Sequence, residues 1–379
     1  MINHDPNNPR TKNYSIIKSL LRNIEFITKN IFYFLVVFIN CIIFCSKKNY
    51  LNIGNYEDTR YVNYLFYSLK KKYGFAYNIN FQILNFVKKI GIINFLIHSS
   101  PNFRIKKKDK LKITFNNFKE NTENLNFNTN YFHKLKDLNK ENNLFLPYYL
   151  YPRIYNKDYK KLDKLKNNNK QIRIFFSGST NKQVYGRFSW INFNGDKLLN
   201  RVEIIDFILN EFREKVYLLN SYDQLNDLVS SNKPIVLSLN DKLIKKTKTN
   251  LTNLEHLNLI SMSNFFITAP GADMPLCHHL IECIKMKSIP ITSYNEFLVP
   301  RLNENDHISF NNFDELNLAI KTALSMNQDK IIKIQNNLDV FYKNNLSPEA
   351  FFRNFENRKT NNIIACNDVE SVERYKVNI

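Results

Sequence analysis

The residues best suited to chemistry in this chain lie close together between positions 264 and 300. An apolar run ends at Pro270-Gly271, and Cys277, His278, His279, Glu282 and Cys283 follow within a short helical pattern. A helix starting near Pro275 or Leu276 directs its free amide N–H groups and positive dipole end at the turn, which suits an anion such as a diphosphate. Glu282, further along that helix, can accept hydrogen bonds from sugar hydroxyls if its face lines a cleft. The plainer readings are a partly exposed helix carboxylate for Glu282 and capping or core histidines for His278 and His279.

A second turn, at 177–181, follows the apolar run 172–176. Gly178 allows close backbone approach, and the hydroxyls of Ser177, Ser179 and Thr180 can donate to phosphate oxygens. The turn has neither a Walker loop's Gly-Lys-Ser/Thr nor GxGxxG, so alone it reads as an ordinary Gly-Ser turn. Cys277, His278, His279 and Cys283 are near enough for a metal check. No CxxC, HxxH or HExxH spacing is present and no second ligand cluster accompanies them, so no metal is expected.

The elements around these turns alternate. Strands are expected at 51–53, 92–97, 112–115, 172–176, 215–219, 235–239, 265–269 and 289–292, and helices at 61–73, 199–212, 254–261, 276–286, 314–325 and 330–342. Such alternation predicts a mostly parallel sheet in an α/β fold, with ligands at the carboxyl ends of strands. The chain has 379 residues, room for two domains. The expected organisation is an N-terminal tail and apolar helix at 1–48, a first domain at 49–155, a Lys/Asn-rich linker at 156–170 and a second domain at 171–356. The stretch beyond about 357 reads as a loose polar tail.

The formal net charge is +20, with 23% charged and 44% hydrophobic residues. That balance suits a globular protein whose partners are anionic: nucleic acid, a membrane surface or phosphate-bearing small molecules. Aromatic residues make up 14% of the chain, but they lie largely in apolar runs that a core would bury, and no nucleic-acid-binding motif is present. Five cysteines without regular spacing argue against a disulfide framework and for a reducing compartment. The apolar run 31–45 is shorter than the roughly 20 residues a bilayer crossing needs. A buried core helix, an interfacial anchor and a true span all remain open for it, and its basic flanks fit a membrane surface.

The stretch FFITAPGADMPLCHHLIECIKMKSIPIT, with the YNEFLVPRL and ISFNNFDEL segments after it, resembles the donor-binding half of exostosin-like glycosyltransferases. LPYYLYPRIY followed by IRIFFSGST is similar to that family's domain junction, and the resemblance covers roughly 145–320. One departure is Lys287, where the family's G-x-I-P strand has glycine. The resemblance implies two Rossmann-like domains facing each other across a cleft (GT-B). It implies sugar transfer from a nucleotide-sugar donor to a glycan or lipid-linked acceptor, without a metal or other cofactor. Donor binding then falls to Gly178, Ser179, Arg187, Arg201, Pro270, Gly271, His278, His279 and Glu282, with Lys182 a further cation for the leaving diphosphate. The base of an inverting transfer is expected from the first domain, where Glu57, Asp58 and His98 follow predicted strands. Localisation would be cytoplasmic, peripheral to or anchored at a membrane. The alternatives are a basic nucleic-acid-binding protein and a nucleotide-sugar epimerase on the same fold.

Overall fold

The structure, a computed structural model, describes residues 51–52, 60–69, 73–74, 77–78, 109–110, 113–115, 125–128, 131–135, 143–151, 154–155, 158–239, 251–272, 274–358, 360, 362–366 and 375–378. The run 31–45, the strand expected at 92–97, and Glu57, Asp58 and His98 lie outside the described residues. Among the described residues no helix is long and apolar enough to cross a membrane.

The chain forms two compact α/β units, Met1–Leu146 with Phe351–Asn367 and Pro147–Ala350 with Asp368–Ile379. The first junction thus falls at 146/147 rather than after 155, and the second at 350/351 rather than 356. The physical reason lies in the aromatic segment: Tyr148, Tyr149 and Leu150 are buried, and the Tyr148 hydroxyl donates to the Leu276 carbonyl of the second unit.

In the first unit, β1 (Leu51–Asn52), β3 (Tyr77–Asn78), β5 (Ile113–Phe115), β6 (Leu125–Asn128), β7 (Leu144–Leu146) and β15 (Asn362–Ala365) form one sheet in the order β3-β1-β5-β6-β15-β7. Every pairing in it is parallel. A second parallel pair joins β2 (Tyr73–Gly74) to β4 (Asp109–Lys110). Helix α1 (Arg60–Leu69) buries Tyr64, Leu65 and Leu69, with the Tyr64 ring edge-on to Phe351, and α2 (Tyr131–Lys134) buries Tyr131 and Phe132. The loose tail expected beyond 357 is corrected here. Ile363, Ile364 and Ala365 are buried in β15, which slots between β6 and β7. Three apolar residues in a polar stretch are too short a pattern to announce a strand.

In the second unit, β8 (Ile172–Gly178), β10 (Val216–Leu218), β11 (Ile235–Leu239), β12 (Ser263–Ile267), β13 (Ile289–Thr292) and β14 (Ile308–Ser309) form an all-parallel sheet in the order β10-β11-β8-β12-β13-β14. β12 and β13 are buried along their whole length. Their near-continuous apolar runs follow from cover on both faces. β9 (Phe188–Trp190) pairs antiparallel with β16 (Lys376–Asn378).

The helices of this unit are α3 (Leu162–Leu165), α4 (Lys182–Tyr185), α5 (Arg201–Glu211), α6 (Leu225–Ser230), α7 (Asn253–Ser261), α8 (His278–Lys285), α9 (Phe313–Ser325) and α10 (Gln328–Phe341). Then α11 (Pro348–Glu356) runs across the 350/351 junction. Asn181, Asn200, Asn312 and Asn327 each accept a backbone N–H at the start of α4, α5, α9 and α10. The abundant asparagine therefore has a local use in satisfying first-turn donors. Capping boxes start α5 (Asn200 with Glu203) and α7 (Thr252 with Glu255).

The linker expected at 156–170 is also corrected. Tyr159 and Leu162 are buried, and Asp163 on α3 and Lys166 just after it pair with Lys285 and Asp339. Apolar residues spaced among lysines let one face of this short segment dock while Lys160, Lys161 and Lys164 stay in water.

Candidate functional site

The order of the second sheet decides where a ligand can sit. From β8 the chain goes out to the edge strand β10, returns through β11 and then crosses to β12 on the other flank of β8. The carboxyl ends of β8 and β12 are therefore the switch point, where the connections diverge and leave a crevice. Gly178 ends β8. Thr268, Ala269, Pro270 and Gly271 follow β12.

The loop from β12 to α8 is tightly folded. The Gly271 amide donates to the Pro275 carbonyl (3.3 Å), and its carbonyl accepts from Trp190 Nε1 (3.1 Å). A Cβ on Gly271 would lie 2.6 Å from the Met274 carbonyl oxygen, a backbone atom, so only glycine fits. Met274 and Leu276 are buried and tie this loop to the core. As a result α8 begins at His278, not near Pro275 or Leu276 as the sequence predicts, and His278 and His279 form its first turn. The N-cap, Cys277, makes no side-chain capping bond. No cap side chain therefore occupies the first-turn amides.

Arg201, the first residue of α5, is 4% exposed. Its Nη2 donates to the carbonyls of Ala269 (3.3 Å) and Pro270 (3.0 Å), and its Nη1 to that of Ser179 (3.5 Å). The guanidinium lies 4.1 Å over the Tyr185 ring, and its Nε is buried without a hydrogen-bond partner. Among the described residues no carboxylate pairs with it. One cation thus joins the two strand-end turns through backbone oxygens without an ion-pair partner among the described residues. A Cβ on Gly178 would approach Arg201 Nη1 to 3.4 Å and His279 Cε1 to 3.6 Å, so the β8 turn touches both side chains.

Glu282 lies one turn into α8 and is 2% exposed. Its Oε1 accepts from the Tyr151 amide (3.3 Å), and its Oε2 lies 3.3 Å from His256 Nε2 on α7. Burial pushes the Glu282 carboxyl up. The His256 hydrogen bond and the nearby His279, His256 and His278 override that and lower it to about 2. Burial, supported by Arg201 and opposed by Glu282, lowers His279 to about 4. At neutral pH the site thus holds an ionised carboxylate facing a neutral His279. The His256 and His279 rings are 5.0 Å apart, and the His279 Nδ1 is buried without a partner. One ligand atom from each of His256, His279 and Glu282 lies within 4.8 Å of the others. His278 points to the other side of the helix start, parallel to the Tyr148 ring at 6.4 Å and edge-on to Tyr151 at 5.4 Å.

Of the residues singled out in the sequence, Gly178, Ser179, Arg201, Pro270, Gly271, His278, His279 and Glu282 come together at this mouth. Ser179 contributes its carbonyl to Arg201, and its Oγ accepts from the Asn181 amide. Arg187 is exposed between α4 and β9, and Lys182 pairs with Asp206 (3.3 Å) on the surface. Sequence reasoning missed His256, Tyr148 and Tyr151. Tyr148 and Tyr151 stood inside the aromatic junction segment, whereas His256 sits in an unremarkable amphipathic helix with no signal pointing to Glu282.

No family model matches the chain, and no curated protein matches it. Among solved structures it is similar to the trehalose-6-phosphate synthase of Burkholderia multivorans, with 12% identity and a TM-score of 0.29 over 53% of this chain and 45% of that one. It is also similar to an α1,3-fucosyltransferase, with 15% identity and a TM-score of 0.31 over 80% and 86%. A third is WaaG, a glycosyltransferase involved in lipopolysaccharide biosynthesis, with 9% identity and a TM-score of 0.34 over 83% and 98%. The chain spans less than half the length of the trehalose-6-phosphate synthase. TM-scores this low, at such identities, carry no argument about this chain.

Proposed function

We propose that the carboxyl-end mouth of the second unit binds the nucleoside diphosphate half of a nucleotide sugar, and that the chain is a glycosyltransferase of the exostosin-like, GT-B kind its sequence resembles. The observation that supports this reading is the buried Arg201, held by carbonyls of both strand-end turns beside the first turn of α8. A buried cation without an ion-pair partner, set beside fixed dipoles, is what a departing diphosphate requires. The first-turn amides of α8 and the Arg201 charge hold the diphosphate, while Gly178 and Gly271 keep the turns clear of side chains. A carboxylate offers roughly four acceptor positions. Two on Glu282 are taken by Tyr151 and His256, so a ribose hydroxyl bonds to those that remain.

The acceptor, in this reading, is a glycan or glycolipid, reached at an anionic membrane surface from the cytoplasmic side. The base belongs to Glu57, Asp58 or His98, and no cofactor takes part. The test is a thermal-shift panel of nucleoside diphosphates followed by a donor-hydrolysis screen over nucleotide sugars. A ligand at about 100 times its Kd should stabilise the chain by about 2.7 kcal/mol. Stabilisation by oligonucleotides and by no nucleoside diphosphate would overturn the proposal in favour of nucleic-acid binding. Conversion of the donor to its epimer would point to the isomerase alternative.

A further inference from the structure

We propose that His256, His279 and Glu282 form a binding site for a divalent transition metal of the zinc class. The three side chains come from two helices, and one ligand atom of each already lies within 4.8 Å of the others. Two imidazoles and one carboxylate are a donor set that zinc and its neighbours favour, and three protein ligands leave a fourth position open.

The supports behind the ligands are those of a built site. His279 and Glu282 are one turn apart on α8, whose Leu280, Ile281 and Cys283 are all fully buried. His256 is fixed by α7, where Leu257, Leu259 and Ile260 are buried. The Tyr151 amide donates to Glu282 Oε1 and so orients the carboxylate, the role outer partners play around bound metals. The independent observation is the His279 ring, whose Nδ1 is buried without a hydrogen-bond partner while the ring faces His256 at 5.0 Å. A buried ring nitrogen with nothing to bond is rare in a finished core.

Arg201 is a nearby charge that opposes a cation, since its Nη1 and His279 Cε1 both lie within 3.6 Å of one Cβ position on Gly178; the Glu282 carboxylate offsets it, and the guanidinium is held by three backbone carbonyls. The metal site shares His279 and Glu282 with the donor site of the sugar-transfer reading but does not rest on that reading, because the probe is the metal ion alone. Nucleoside diphosphate binding can fail while the metal binds, and the reverse.

The experiment uses the full chain, stripped with a chelator and titrated with Zn²⁺ by calorimetry and with Co²⁺ by visible absorption. The expected result is one equivalent bound, with Co²⁺ ligand-field bands of low coordination number. His256→Ala and His279→Ala should each weaken binding by about 100-fold or more, since even outer-sphere changes cost 10–100-fold. His307→Ala, at a histidine outside the cluster, should change nothing. If His279→Ala does not fold, His256→Ala, at a side chain that is 15% exposed, carries the test. No stoichiometric binding, or binding that survives His256→Ala unchanged, overturns the site and leaves a His256–Glu282 hydrogen bond beside the His279 ring.

Discussion

The two ends of α8 handle charge in opposite ways. At the carboxyl end each buried cation has a partner. Lys285 is 6% exposed, bonds Asp163 at 2.9 Å and lies 5.2 and 4.7 Å from the Tyr159 and Tyr342 ring centres. Lys166 bridges Asp163 and Asp339, and Lys170 donates to the Met286 and Lys287 carbonyls that close the helix. Cations there also meet the negative end of the helix dipole. At the amino end Arg201 has backbone carbonyls and the Cys277 sulfur at 3.7 Å but no carboxylate, its Nε is unpartnered, and so is His279 Nδ1. A network with all of its bonds made holds the fold, whereas one that leaves buried polar atoms over is kept for something that binds.

The largest effect expected from testing this contrast is at Glu282. Glu282→Ala leaves the Tyr151 amide and His256 without their acceptor in a buried place, and should cost about 3–5 kcal/mol in urea unfolding. Glu282→Gln should keep most of that stability and still weaken nucleoside diphosphate binding; unchanged affinity would remove Glu282 from the donor site. At the other end, Asp163→Ala strands Lys285 and should cost about 2–3 kcal/mol, reduced because Asp163 itself is open to water. A larger loss at Asp163 than at Glu282 would reverse the ranking of the two ends.

Arg201→Met should separate binding from folding. We expect the nucleoside diphosphate thermal shift to vanish while the variant still unfolds cooperatively. A shift that persists would mean the guanidinium only braces the turns. Gly271→Ala, by forcing a Cβ against the Met274 carbonyl, should destabilise by about 1–3 kcal/mol and weaken binding as well.

The two ends should also differ in pH dependence. His279 is held near 4 against its ordinary 6.5, and Glu282 near 2 against 4.5. In both cases the unfolded chain binds protons first, so stability present above pH 6.5 should fall as pH drops through 4 and on towards 2. Lys170, buried at the helix end, is lowered to about 7 from 10.5. Between those values the unfolded chain again holds the extra proton, so stability should rise with pH from about 7 to 10.5, and Lys170→Gln should flatten that slope. Denaturant midpoints measured across pH would check both limbs.

The smallest effect is expected at Lys287. It adopts φ 57° just after α8, with its amide bonded to Ile284 and the next amide to Cys283, a Schellman closure. This is the position where the resembled family has glycine. Lys287→Gly should therefore stabilise the chain by up to about 1 kcal/mol in thermal unfolding, since a non-glycine residue in the left-handed region costs about 1–2 kcal/mol.

What the sequence alone determined is local. The apolar runs behind β8, β11, β12 and β13 and the two glycine turns are all legible because strand patterning and turn sterics act over a few neighbouring residues. It misjudged segments whose pattern is too short to stand out, such as β15 and the docked stretch around Leu162, and it started α8 too early because the Met274 and Leu276 anchors are a matter of burial. Only the tertiary structure decided that His256 meets Glu282 from 26 positions away and that Tyr151 lends it an amide. It likewise decided that Arg201 spends its donors on Ser179, Ala269 and Pro270. Those meetings depend on the order of strands in the sheet, which sets α7 beside α8 and brings the β8 and β12 turns to one mouth. That order is chosen by burial of whole elements against each other, and no spacing along the chain encodes it.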